Sequence, residues 1–382
     1  MVEISIIIGI FLTAALAYAN GSNDVSKAIA TLVGSGVTNY RRAIIWGATW
    51  TSIGSLLAAF FALQMVQTFT AGWLSPEAKL TLWLPLSTLF GAMAWVLLAS
   101  IAGLPVSTTH AITGALCGAG LLAYGASRVL WSSLFIKTFL PLLLSPFLSL
   151  TLTWAFFPLI KLTLANRKGY CLCLGVKRSA AVQAACPSGG GLAVVDERGA
   201  VYPEAVLGSR ELCGEDFSYS VNFNVNTLHW LSSGAASFAR GLNDAPKIVA
   251  LVVTFNLISG QPLSHGQSFF YFALVTAAMG LGSYLAGLRV TEVLAERVTA
   301  LNPIEGFAAN LTTAFLVATS ARFGWPVSTT HVSSSAIIGI GLRNGVKSVS
   351  WPTVRNIVLA WVVTLPAAGL LAAFAYYLVN KI

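Results

Sequence analysis

Apolar residues run in long blocks along nearly the whole chain, and most blocks are near the roughly 20 residues that cross a hydrocarbon core as a helix. In the first part of the chain they cover 4–36, 43–65, 81–101, 105–123 and 130–160; in the last part 227–258, 266–288, 304–323, 326–342 and 353–379. Residues 161–226 between them are far less apolar and rich in acids. The pattern predicts an all-α polytopic membrane protein of roughly 10–12 membrane segments, divided into a membrane repeat over 1–160, a linker over 161–226 and a second membrane repeat over 227–382. Proline and hydroxyl residues interrupt the apolar pattern at Pro105 and Pro326, which predicts broken or re-entrant helices there.

The division into halves rests on self-similarity. Gly21-x-Asn23-Asp24-x-x-Lys27 returns as Gly241-x-Asn243-Asp244-x-x-Lys247, and Pro105-Val106-Ser107-Thr108-Thr109-His110 returns as Pro326-Val327-Ser328-Thr329-Thr330-His331, at offsets of 220 and 221 residues. Two long matches in the same order at nearly one offset indicate an internal duplication. Five segments per copy is an odd number, so if each crosses the membrane the second copy enters from the opposite side, as an inverted-topology repeat. Arg41, Arg42, the 161–226 linker, Arg289, Arg297, Arg343, Lys347 and Arg355 then share one face, and Lys79, Arg128 and Lys381 lie on the other. The positive-inside rule puts the linker in the cytoplasm and both termini outside, in a multi-pass protein of the plasma (inner) membrane.

Composition narrows the class further. The 382 residues are 56% hydrophobic and 9% charged, against roughly 25% charged in soluble domains. The net charge of +9 sits at segment ends and in the linker, as membrane orientation requires, and does not point to nucleic acid. Met1-Val2-Glu3 supplies no positive leader to the first apolar block, which reads as a membrane helix and not as a cleaved signal. Cys171, Cys173, Cys186 and Cys213 fall in the linker and Cys117 in an apolar block. A four-thiolate zinc site is one reading of the linker cysteines, but the spacing is not that of paired knuckles, and reduced thiols are the expectation. Residues 192–202 carry a hairpin-like pattern.

The duplicated elements hold the candidate chemistry. After Pro105 and Pro326, Ser107, Thr108, Thr109 and Ser328, Thr329, Thr330 surround the free N–H groups of a helix start, a natural place for an anion. Two such ends aimed at one midplane point make an anion site; alternatively the hydroxyls cap broken helices. Asn23, Asp24, Asn243 and Asp244 lie inside apolar blocks, where a carboxylate is a functional candidate by default. Gly21 and Gly241 would permit unwinding, and the exposed carbonyls with Asn and Asp would form an all-oxygen set for a hard cation such as sodium. The competing reading is an i,i+3 ion pair of Asp24 with Lys27 and of Asp244 with Lys247. A dianion beside two carboxylates needs a cation or protons to enter with it. Monohydrogen phosphate can donate a hydrogen bond to Asp and sulfate cannot, which favours inorganic phosphate as substrate. No cofactor is implied; membrane lipid surrounds the protein, and a homo-oligomer is compatible with the sequence. A hydrolase or transferase using His110 or His331 is the alternative of another class, and duplication of like groups argues against it. Glu305 reads either as a rim residue or as part of a cation site, and His229 and His265 as interface residues.

The duplicated motifs resemble those of the inorganic phosphate transporter (PiT) family over both hydrophobic halves, excluding the linker. That resemblance implies phosphate uptake by alternating access, driven by sodium or protons, with Asn23, Asp24, Asn243, Asp244 and the two Ser-Thr-Thr runs in substrate and ion roles. A sulfate or other oxyanion permease of the same group is the alternative. Lys27 and Lys247 depart from the family, whose members commonly have Asn there; each ammonium either replaces a bound cation or takes part of the phosphate charge.

Overall fold

The computed structural model describes residues 2–70, 73–75, 77, 80–165, 170–177, 204–209, 217–258, 260 and 264–381. In the first half run α1 (Val2–Asp24), α2 (Ser26–Gly34), α3 (Tyr40–Phe61), α4 (Leu63–Thr70), α5 (Trp83–Ile101), α6 (Thr108–Tyr124), α7 (Trp131–Leu134) and α8 (Leu140–Ala165). In the second run α9 (Val225–Ile258), α10 (His265–Ala286), α11 (Leu288–Glu296), α12 (Pro303–Arg322), α13 (Thr329–Asn344) and α14 (Trp351–Val379). The linker adds β1 (Tyr170–Lys177), β2 (Glu204–Ser209) and β3 (Phe217–Phe223), an antiparallel sheet in the order β2-β1-β3. Cys171 and Cys173 are on β1; Cys186, Cys213 and the 192–202 hairpin lie outside the described residues.

Seven helical stretches among the described residues are long and apolar enough to span a bilayer, counting α1 with α2 and α7 with α8 as one each. Helices α6 and α13, of 17 and 16 residues, are shorter than a full crossing. The surface is turned outside-in relative to a soluble protein. Phe11, Leu162 and Leu370 are 69%, 70% and 71% exposed, whereas Asn20, Asn23, Asp24, Lys27, Arg240 and Asn243 are buried. Such a molecule is stable only where the surroundings are apolar, so this is an integral membrane protein.

Packing crosses between the halves. Helix α1 lies against α10 and α9 against α3, while α6 packs on α14 and α13 on α8. Glycine permits the tightest crossings: a Cβ on Gly21 would stand 2.0 Å from Met279 O, and one on Gly241 would stand 2.3 Å from Thr51 O. This corrects the expected role of both glycines. Helix α9 continues through Gly241 to Ile258, and in the first half the helix breaks at Val25, beyond Asp24. Their missing side chains let backbones touch, as small residues do between membrane helices.

Candidate functional site

The two proline motifs are delivered by the same local device. After α5, Gly103 takes φ +72°, its N–H bonding Ser100 O at 3.1 Å and that of Leu104 bonding Ala99 O at 2.9 Å. After α12, Gly324 takes φ +68°, with Gly324 N to Ala321 O at 3.3 Å and Trp325 N to Ser320 O at 2.9 Å. Both are Schellman endings, which satisfy the last carbonyls and turn the chain sharply. Proline follows, then an extended serine, Ser107 or Ser328, that caps the next helix by accepting from the N–H of His110 at 3.2 Å or of His331 at 3.1 Å. Ser107 Oγ also contacts His110 Nδ1 at 2.9 Å. The serines therefore do the capping work.

The threonines reach across to the other half. Thr109 Oγ1 donates to Val327 O at 3.2 Å and Thr330 Oγ1 donates to Val106 O at 2.7 Å. Thr329 Oγ1 donates to Asp24 Oδ2 at 2.9 Å. Thr108 Oγ1 stays within its half and accepts from Asn20 Nδ2 at 2.9 Å. The two hydroxyl runs and both Asn-Asp pairs thus meet in one buried cluster.

Each carboxylate is paired with the lysine one turn on. Lys27 Nζ bonds Asp24 Oδ1 closely, Asn23 Oδ1 at 3.0 Å and Val106 O at 2.9 Å. Lys247 Nζ bonds Asp244 Oδ1 at 3.3 Å, Thr109 Oγ1 at 2.6 Å and Val327 O at 3.1 Å. An oxygen cage of the kind that suits a hard cation therefore exists twice, each occupied by a tethered ammonium. Its carbonyls come from Val106 and Val327 beside the prolines, and not from unwound backbone at Gly21 or Gly241. Asn23 pins the first turn, donating to Ser100 Oγ at 3.1 Å and Leu104 O at 2.9 Å and accepting from Val106 N at 3.1 Å. Asn243 donates to Asp244 Oδ1 at 2.9 Å and to Val327 O at 3.3 Å.

Other candidates have local duties. Glu305 closes a capping box with Asn302 and accepts from Asn344 Nδ2 at 2.8 Å, binding α12 to the end of α13. His229 joins the halves through Thr31 Oγ1 at 3.0 Å. The rings of His110 and His331 pack at a tilt of 43° with centroids 4.5 Å apart, and His331 packs on Trp361 at 4.0 Å with a tilt of 35°. Sequence reasoning passed over Arg240, buried in α9 one turn before Asp244. Its Nε and Nη2 donate to Thr51 Oγ1 at 3.2 and 2.5 Å. The signal was present, because an arginine inside an apolar block falls under the same rule as the aspartates.

Residues 20–372, a span containing every element of this cluster, match the family described as the phosphate transporter family. The chain belongs to that family. Among its relatives, a protein of Rhizobium meliloti (strain 1021) named "Probable low-affinity inorganic phosphate transporter" is 29% identical over 364 residues, covering 94% of this chain and 92% of the relative. One of the same name from Bacillus subtilis (strain 168) is 26% identical, covering 96% and 94%. A solved structure described as "The sodium-dependent phosphate transporter" shares the fold at TM-score 0.77 and 24% identity, covering 99% of both chains. The family's members are transporters and not enzymes, so a hydrolase or transferase built on His110 or His331 is set aside.

Proposed function

We propose that this chain is a secondary transporter that carries inorganic phosphate across the membrane with sodium or protons, by alternating access between two inverted halves. The observation that carries the reading is the meeting of both hydroxyl runs with both Asp-Lys pairs in one buried cluster, every member of which is at most 4% exposed. A cluster closed to both faces is what an occluded transport intermediate requires, and its donors suit a tetrahedral oxyanion. The names of the relatives support phosphate, and the sodium dependence named for the structural neighbour favours sodium over protons.

In this reading Thr108, Thr109, Thr329 and Thr330 with Asn23 and Asn243 face the anion, Ser107 and Ser328 hold the two helix starts in place, and Asp24 and Asp244 set the cation requirement. Lys27 and Lys247 balance the carboxylates until substrate and cation displace them. The termini lie outside and the linker inside, following the basic residues.

Purified protein in liposomes tests the proposal. Labelled orthophosphate uptake under imposed sodium and then proton gradients should be accelerated by one of them, and competition should rank arsenate above sulfate. Uptake indifferent to both gradients would sink the coupled mechanism, and preference for sulfate would make this an oxyanion permease of another specificity.

A further inference from the structure

Two buried carboxylates and two buried ammoniums meet in this cluster, and a third buried cation, Arg240, lies one turn before Asp244 on α9. Lys27 is paired with Asp24 and Lys247 with Asp244. Arg240, 2% exposed, has no ion pair among the described residues. Two of its nitrogens share one neutral oxygen, Thr51 Oγ1, and Nη1 has no hydrogen-bond partner. Ionised side chains persist in a membrane interior when they are paired or when they face a path on which an opposite charge arrives.

The join between α3 and α9 has contacts besides this guanidinium. Thr51 already joins α3 to α9 by donating to Ser237 O at 3.2 Å, and Gly241 and Gly54 allow the two backbones to touch. Arg240 lies four residues before Asp244, hence on the same face of α9, and within electrostatic reach of Asp24, Asp244 and Lys27. By the repeat offset it occupies the place of Asn20, whose amide holds Thr108 in the other hydroxyl run. One half thus presents a neutral amide where the other presents a cation with N–H groups to spare.

Resting on the phosphate reading above, we infer that Arg240 is the fixed cationic anchor of the oxyanion, donating from its guanidinium to the oxygens of bound phosphate. The fork geometry suits this, since a planar guanidinium can meet two oxygens of one tetrahedral anion where an ammonium offers a point charge. The anchor leaves the cluster one positive charge in excess before substrate arrives. A monovalent oxyanion would be balanced there without an external cation, and a divalent one would bring one charge too many.

Two variants, Arg240→Gln and Arg240→Lys, test this in proteoliposomes with labelled orthophosphate, alongside thermal unfolding in detergent with and without orthophosphate. Arg240→Gln should raise the KM for phosphate roughly ten- to a hundred-fold, the loss expected for a charge-assisted hydrogen bond. It should also abolish the rise in melting temperature that phosphate gives the parent, without lowering the melting temperature of the unliganded protein. Arg240→Lys, which keeps the charge and loses the fork, should fall between the two and remains readable if the Gln variant does not assemble. Parent-like KM and phosphate-induced stabilisation in the variants that assemble would overturn the assignment. If the parent itself moves sulfate and not phosphate, the phosphate reading fails, and the same comparison run on sulfate still decides the role of Arg240.

Discussion

Asp24 and Lys27 neutralise one another where neither has access to water. Removing one partner of such a pair strands the other, at a cost of about 3–5 kcal/mol, whereas replacing both by apolar or neutral groups is often tolerated. Asp24→Asn should therefore abolish coupled uptake and also lower the unfolding temperature in detergent. The double variant Asp24→Asn with Lys27→Met should recover most of the stability and none of the transport; equal stability in single and double variants would show that the ammonium is not held by the carboxylate. Thr109 carries a different load, donating to Val327 O and accepting from Lys247. Thr109→Val should raise the phosphate KM and destabilise by about 1–3 kcal/mol, measured by uptake kinetics and thermal unfolding. Residue types and spacing made most of this cluster legible, because buried acids, amides and hydroxyls repeated in register have few other uses. Arg240 is invisible to duplication, because its counterpart Asn20 is a different residue. The partners of the threonines were hidden for another reason: a spacing along the chain does not say which carbonyl of the other half will stand opposite.

The helices themselves followed the apolar blocks closely, with α3 at Tyr40–Phe61 and α12 at Pro303–Arg322 where 43–65 and 304–323 were expected. Their ends were less legible, since a helix stops where capping and packing allow. The Gly103 and Gly324 turns decide where the two proline motifs begin. Gly103→Ala would force a side chain into the left-handed region at about 1–2 kcal/mol and should shift the α6 start, read as reduced stability together with a raised phosphate KM. Gly241→Ala tests packing instead. Its Cβ would stand 2.3 Å from Thr51 O and 2.6 Å from Ser55 N, both backbone atoms, so α3 and α9 must separate. A loss of stability of about 1–3 kcal/mol or more is expected, with poor recovery of folded protein from membranes; unchanged yield and melting temperature would mean that the crossing is loose.

At the scale of the molecule, the apolar exterior was visible in composition, and the basic loops gave an orientation that chemistry can check. A cysteine at position 381 should react with a membrane-impermeant thiol reagent added to intact cells, and one at position 347 should react only after the membrane is opened; the reverse pattern would invert the topology. The two proline turns have a consequence at this scale. Val106 O is capped by a threonine of the second half and Val327 O by a threonine of the first. The site is thus a property of the join, since each half supplies the hydroxyl that caps the other half's carbonyl. Chains ending near residue 160 and starting near residue 227 should be inactive when made separately and should regain phosphate uptake when made together. Activity from either piece alone would mean that two copies of one half can trade these same bonds with each other.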